Sequence, residues 1–194
     1  MTIAQTKEKI YTPEEYLELE IASETRHEYR NGEIIEMTGG TPNHNDLASN
    51  LIVSLKTALR GKPYRVFIAD QRLWMPAANL HTYPDLMVVP KPIELQTGRK
   101  DTVTNPCFIA EVLSKSTQNY DRSEKFVAYR TIPSFGEYLL VSQYSVRVEH
   151  YVKTAPDRWL LSEYSDPTTI LTLSSFDLQL SIADLYENID FEEI

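Results

Sequence analysis

The chain has 194 residues, with 28 acidic against 19 basic side chains, a formal net charge of −9 and one cysteine, Cys107. That acidity argues against a protein that coats nucleic acid through charge alone, yet it leaves room for an enzyme with a locally positive or metal-loaded cleft. A lone cysteine excludes an internal disulfide and a thiolate metal cluster. With no apolar run of transmembrane length and no signal-like opening, a cytoplasmic protein folded as one domain over 1–194 is expected.

Near the start, "YTPEEYLELE" offers Thr12 as N-cap, Pro13 at the first helical position and acids in the first turn, which predicts a short helix. "RHEYRNGEIIEM" carries Asn31-Gly32, the strongest short hairpin signal, between strand-forming residues. In "TPNHNDLASNLIVSLKTALRG", Leu47, Leu51, Leu55 and Leu59 recur every fourth residue and Gly61 supplies a stop, so a long amphipathic helix is expected.

The period then changes. "YRVFIADQRLWMP" alternates loosely, and "YPDLMVVP" and "NPCFIAEVL" are apolar runs of strand length, giving three central strands. "DRSEKFVAYRTIPS" predicts a second helix ending before Pro133, and "GEYLLVSQYSVRVEHYVKT" with "RWLLSEYS" predicts an antiparallel meander. The tail "DLYENIDFEEI" reads as a solvated end. The order defines an α/β or α+β fold: a mixed β-sheet flanked by helices, with an additional antiparallel meander.

Two charges fall where the pattern says core. Asp85 stands at the mouth of "LMVV", and Glu111 lies inside "CFIAEVL". An ionised glutamate in a strand buried on both faces needs a cation, a donor network or a raised pKa, because its desolvation costs several kcal/mol. If the two strands are neighbours, both carboxylates converge at one sheet end, where hard oxygens suit Mg²⁺ or Mn²⁺ better than zinc. Simpler readings stand beside this one. Asp85 could cap a loop, and Glu111 could pair with an arginine. Lys125 could form a surface pair with Asp121, four residues before it, although both share a helix face with Ala128 and Tyr129. His44 lies on the leucine stripe of the long helix, at its N-terminus, as a core-edge histidine or an anion-facing one. Glu33, just past the hairpin turn, could simply be solvated. Asp70-Gln71 could reach the site, with nothing specific to favour it. The dipeptide Pro-Asp has no force alone, since Pro156-Asp157 repeats it in an ordinary turn.

A Pro-Asp at a strand start followed by a glutamate in the next strand resembles the PD…(D/E)xK nuclease superfamily. That pattern has a lysine two residues after the acid; here Leu113 holds the position, Lys115 lies two residues further on, and Lys125 sits on the following helix. The string "RHEYRNGEIIEM…HND…YPDLMVV…FIAEVLSKST…YDRSEKFVAYR…EYLLV" resembles the Uma-two family of restriction-endonuclease-like proteins, from Tyr11 to the C-terminal strands. The resemblance implies a restriction-endonuclease-like fold and a metal-dependent nuclease that hydrolyses phosphodiester bonds, in DNA more than RNA. It implies that Asp85, Glu111 and the Val112 backbone carbonyl ligate Mg²⁺ or Mn²⁺, and that Lys125 orients or deprotonates the attacking water. Lys115 competes with Lys125 for that role, and His44 and Glu33 match family positions of second rank. A homodimer would suit a small nuclease that cuts both strands. The acidity and Leu113 also fit a catalytically inactive nuclease-fold module for binding or assembly. A metalloenzyme acting on small phosphate esters would use the same residues.

Overall fold

Thr12 caps the first helix, α1 (Pro13–Ala22), with a reciprocal box: its hydroxyl accepts from the Glu15 N–H and the Glu15 carboxylate accepts from its own N–H. The computed structural model describes residues 9–191. Strands β1 (His27–Arg30) and β2 (Glu33–Glu36) form the expected hairpin. Asn31 and Gly32 take φ of 49° and 100°, the two positive values that a type I′ turn demands. Helix α2 (Pro42–Ala58), capped by the Thr41 hydroxyl, buries Leu47, Leu51 and Leu55, with Leu59 just beyond its end. Each such leucine contributes about 1.5–3 kcal/mol by leaving water, so the stripe is what fastens the helix to the sheet beneath it.

That sheet has six strands: β3 (Tyr64–Ile68), β6 (Leu86–Pro90), β8 (Phe108–Leu113), β9 (Glu137–Ser142), β10 (Val148–Ala155) and β11 (Arg158–Tyr164), in the order β11-β10-β9-β8-β6-β3. Only β8 and β9 run parallel; every other neighbour is antiparallel, and β9 to β11 form the expected meander. Both β8 and β9 are buried along their whole length. Leu86, Val88, Phe108, Ala110 and Val112 face α2. Met87, Val89, Ile109 and Leu113 face a second layer. Glu111, between Ala110 and Val112, belongs by alternation to the second face.

The second layer contains a five-stranded sheet, β2-β1-β5-β4-β7, which adds β4 (Arg72–Met75), β5 (Leu80–Thr82) and β7 (Thr102–Val103). Here one expectation is corrected. "YRVFIADQRLWMP" is not one central strand but two, β3 and β4, in different sheets. A turn closed by the Gln71 N–H on the Ile68 carbonyl separates them. Loose alternation shows that each segment is half-buried, but it carries no information on which layer buries it.

The second long helix, 118–129, starts earlier than expected. It runs through Gln118–Tyr120, a π-helical stretch Asp121–Lys125, and Phe126–Tyr129. Such π-bulges are often found where a helix serves a functional site. Beyond the meander, β12 (Ile170–Leu173) and β13 (Leu178–Ser181) pair with each other and lead into the turn Ile182–Leu185. The tail is not simply solvated. Leu185, Tyr186 and Ile189 join the core under α2 at helix-like spacing while Glu187 and Asn188 between them face water; residues 192–194 of that segment lie outside the described part. No helix among the described residues is long and apolar enough to cross a membrane.

Candidate active site

Strands β6 and β8 pair in antiparallel register up to Leu86 opposite Ala110. One step further the ladder is completed by side chains. The Asp85 N–H donates to Glu111 Oε2 at 3.1 Å, and the Val112 N–H donates to Asp85 Oδ2 at 2.8 Å. The two carboxylates therefore meet at the sheet end. In an extended strand, N–H and C=O of one residue point to the same edge, so the Val112 carbonyl is directed there as well.

Glu111 is 3% exposed and has two further partners on Oε1: the Tyr129 hydroxyl, which donates at 2.5 Å, and Lys125 Nζ at 2.9 Å. The π-helical stretch brings Lys125 inward together with Asp121, whose Oδ1 lies 3.4 Å from the ammonium. Glu28 on β1 closes the ring, with Oε1 3.6 Å from Nζ and a hydrogen bond from the Thr82 hydroxyl. At the start of α2, His44 Nε2 stands 3.2 Å from Asp85 Oδ2. Gly40 permits that approach, since a Cβ there would lie 2.7 Å from His44 Nδ1. Glu28, His44, Asp85, Glu111, Asp121 and Lys125 line a cleft of about 450 Å³ between the β1–β2 hairpin, the start of α2 and the exit of β8.

Four carboxylates, from Glu28, Asp85, Glu111 and Asp121, thus gather around Lys125 and His44, with Arg30 3.6 Å from Glu28 at the edge of the group. Burial pushes Glu111 up to about 8; the Lys125 ammonium pulls against it, and the charges of Asp85 and Asp121 add to the rise. Burial also raises Asp85, but the His44 hydrogen bond and charge, Lys125 and the Val112 N–H more than offset it, and its carboxyl ends below the ordinary range. For Lys125 burial disfavours the charge, whereas Glu111, Glu28 and Asp121 hold the ammonium far above its usual pKa. Burial likewise lowers His44 and the bond and charge of Asp85 outweigh it, so its net shift is upward.

The structure therefore brings together Asp85, Glu111, Val112, Lys125 and His44. It does not bring Glu33, which is exposed at the hairpin tip opposite Arg30 and does not line the cleft. Its expected place is taken by Glu28, which shares a face of β1 with Arg30. Lys115 lines the mouth of the cleft, exposed, with Nζ 5.6 Å from the centre of the Tyr144 ring and no ion pair to the buried acids. Asp70 pairs with Arg26 at 3.7 Å, and Gln71 donates to the Asp101 carbonyl; both are outside the cleft. Glu28 and Tyr129 were not singled out from the sequence. A charged residue alternating with a buried tyrosine in "HEYR" is a signal only once the second sheet is known to lie over the first.

Among the described residues, no group of three or more His, Cys, Asp and Glu side chains is arranged as a ready-made metal cage. The donor set is two carboxylates and a carbonyl. Both contacts of Asp85 fall on Oδ2, leaving Oδ1 without one. That is a hard-oxygen set, and Mg²⁺ commonly takes only one or two protein carboxylates and completes its shell with water and phosphate. The residues fit such an ion.

The mixed sheet, its flanking helices and the acids at its end define a restriction-endonuclease-like fold. A solved structure from Anabaena variabilis, described as "a putative nuclease belonging to DUF820", matches with a TM-score of 0.72 at 21% identity, over 90% of this chain and 97% of that one. The Uma2 family model, described as "Putative restriction endonuclease", matches residues 13–183, and the chain belongs to that family. Two Synechocystis proteins are also similar. Uncharacterized protein sll1609 is 42% identical over 84% of this chain and 91% of its own length. Uncharacterized protein slr1290 is 34% identical over 93% of each. The resemblance read from the motif order is borne out.

Proposed function

We propose that this protein is a metal-dependent nuclease that hydrolyses phosphodiester bonds, in DNA rather than RNA. The observation that carries the reading is the meeting of Asp85, Glu111 and Lys125 at one sheet end, on an open cleft. Restriction-endonuclease-like enzymes generally use divalent metals. Asp85, Glu111 and the Val112 carbonyl would hold Mg²⁺ or Mn²⁺, which supplies Lewis-acid polarisation of the phosphoryl group and a lowered pKa for bound water. The chain supplies the rest. Lys125 remains an ammonium at neutral pH, so its role is to orient water and offset phosphoryl charge rather than to accept a proton. Tyr129 and the Asp85 N–H fix the Glu111 carboxylate, and His44 and the Val112 N–H fix Asp85. A homodimer in the cytoplasm would let two such clefts act on both strands.

Purified protein should nick plasmid DNA with Mg²⁺ or Mn²⁺, and Asp85→Ala should be inert while unfolding cooperatively. Equal cutting by both proteins would overturn the reading. A second reading has its own observation: Lys125 already satisfies Glu111, Glu28 and Asp121, as in an inert binding module. Mn²⁺ decides between them. An occupied carboxylate site stabilises the fold by mass action, by about 2.7 kcal/mol at a hundred times Kd, and so raises the melting temperature, whereas an inert module shows no rise.

A further inference from the structure

Beside the catalytic cleft lies a second cavity of about 470 Å³, walled by Ala77, Ala78 and Leu80 on one side and by Val127 and Ala128 on the other. Arg30 and Tyr120 line both spaces and form the partition between them. The Arg30 guanidinium carbon sits 3.6 Å from the Tyr120 ring centre, a close cation–π stack. The terminal nitrogens of Arg30 lie 3.6 Å from Glu28 and 3.9 Å from Glu124, while Arg30 Nε and the Tyr120 hydroxyl are both buried without a hydrogen-bond partner. A buried donor left unmet in this way invites an acceptor from a ligand. Val127 is 54% exposed at the cavity rim although its helix neighbours Phe126 and Ala128 are buried, so the wall offers apolar surface to the opening.

A slot of ligand size with apolar walls, lined also by Asn31, Ser123, Glu124 and Thr131 and bordered by a stacked arginine and tyrosine, has the chemistry that receives an unstacked nucleobase with its polar edge. We infer that this cavity is a nucleobase subsite for the nucleotide whose phosphate enters the catalytic cleft, with Arg30 and Tyr120 contacting it at the junction. The inference rests on the phosphodiester reading for the position of the phosphate. It adds a specificity element that the carboxylates cannot provide: the enzyme grips substrate where a base has left its stack. Strands with unpaired or easily unstacked bases are then preferred over regular duplex, since extruding a base from a duplex costs unstacking and unpairing energy.

The test is titration of the full chain with thymidine 5′-monophosphate, 2′-deoxyadenosine 5′-monophosphate and deoxyribose 5-phosphate, with and without Mg²⁺, followed by methyl NMR. Both nucleotides should shift the Leu80 and Val127 methyl signals with an affinity about tenfold above that of the base-less sugar phosphate, one aromatic stack in magnitude. Val127→Trp and Ala77→Trp, two substitutions at exposed positions that fill the slot from opposite walls, should each remove that advantage and leave sugar-phosphate binding unchanged. Equal affinity for the three probes, shifts elsewhere, or a base advantage that survives both tryptophans overturns the inference. Plasmid cleavage by the same preparation is scored separately. Cleavage without base-dependent binding removes the subsite alone; base-dependent binding without cleavage keeps the subsite and removes the nuclease reading.

Discussion

Two glutamates are buried in adjacent parallel strands of this protein, and they have opposite characters. Glu137 opens β9, facing Phe108, while Glu111 lies near the end of β8, facing Leu140, three residues along the same ladder or about 10 Å. Glu137 is completely buried and fully matched: His150 Nε2 lies 2.6 Å away, and the Ser174 and Ser175 N–H groups donate at 2.9 and 2.8 Å. Burial raises its pKa, but the His150 bond and the Ser175 N–H more than offset this and leave it low. Glu111 instead shares one ammonium with two other carboxylates, Glu28 and Asp121, beside an open cleft, and burial drives it up to about 8. A buried acid is thus a structural pin when its donors match its charge. It becomes a candidate for chemistry when carboxylates outnumber cations next to an opening.

The contrast can be broken by experiment. The largest effect expected is on cleavage: Asp85→Asn or Glu111→Gln should cut metal-dependent activity by about a thousandfold or more, equivalent to several kcal/mol of lost transition-state stabilisation. Glu137→Gln should leave activity per folded molecule unchanged, and a matching loss there would erase the distinction. Next in size is stability. Glu137→Ala orphans a buried histidine and two N–H groups and should lower the urea-unfolding free energy by about 3–5 kcal/mol. Asp85→Asn should cost less, because an amide oxygen can still accept from the Val112 N–H and His44 and no partner is orphaned.

The pH dependence sharpens the same difference. Glu111 is raised from 4.5 to about 8 on folding, so the folded state holds its proton more tightly. Its contribution is complete below 4.5 and is lost as pH rises toward 8, so the melting temperature should decline across that window and Glu111→Gln should flatten the decline. Glu137 has the opposite sign. Its lowered pKa gives stability that is present above the ordinary carboxylate value and lost in acid, and Glu137→Gln should weaken that acid-side loss. The smallest effect belongs to Glu33→Ala. At an exposed hairpin tip it should change stability by less than about 0.5 kcal/mol and leave cleavage intact. A large loss of cleavage would return Glu33 to the site.

Much of the local structure could be read directly from short patterns. The Thr12 box, the Asn31-Gly32 turn, the leucine stripe of α2 and the apolar runs of β6 and β8 each depend on residues close in sequence, and each formed as expected. Asp85 and Glu111 could be paired in advance because a charge inside a core-type strand is anomalous wherever the strand lies. The division of "YRVFIADQRLWMP" between two sheets had no such signal, and neither did the burial of Tyr186 and Ile189 in an acidic tail. Glu28 and Glu33 flank one turn and are alike in composition; only the packing of one sheet over the other sends Glu28 to the lysine and leaves Glu33 in water.

The amino-acid sequence by itself thus determined the first helix, the hairpin, the long helix and the core strands, the family and the two acids at the sheet end, since period, turn chemistry and misplaced charge are short-range properties. Tertiary structure alone decided which lysine pairs with Glu111, because Lys115 is nearer in sequence but Lys125, in the π-helical stretch, is the one buried beside it. It also decided that Glu111 is crowded where Glu137 is matched. The physical reason is that desolvation and charge balance depend on what surrounds a group in space, and residues from β1, α2, β6, β8 and helix 118–129 meet around Glu111 only after the chain has folded.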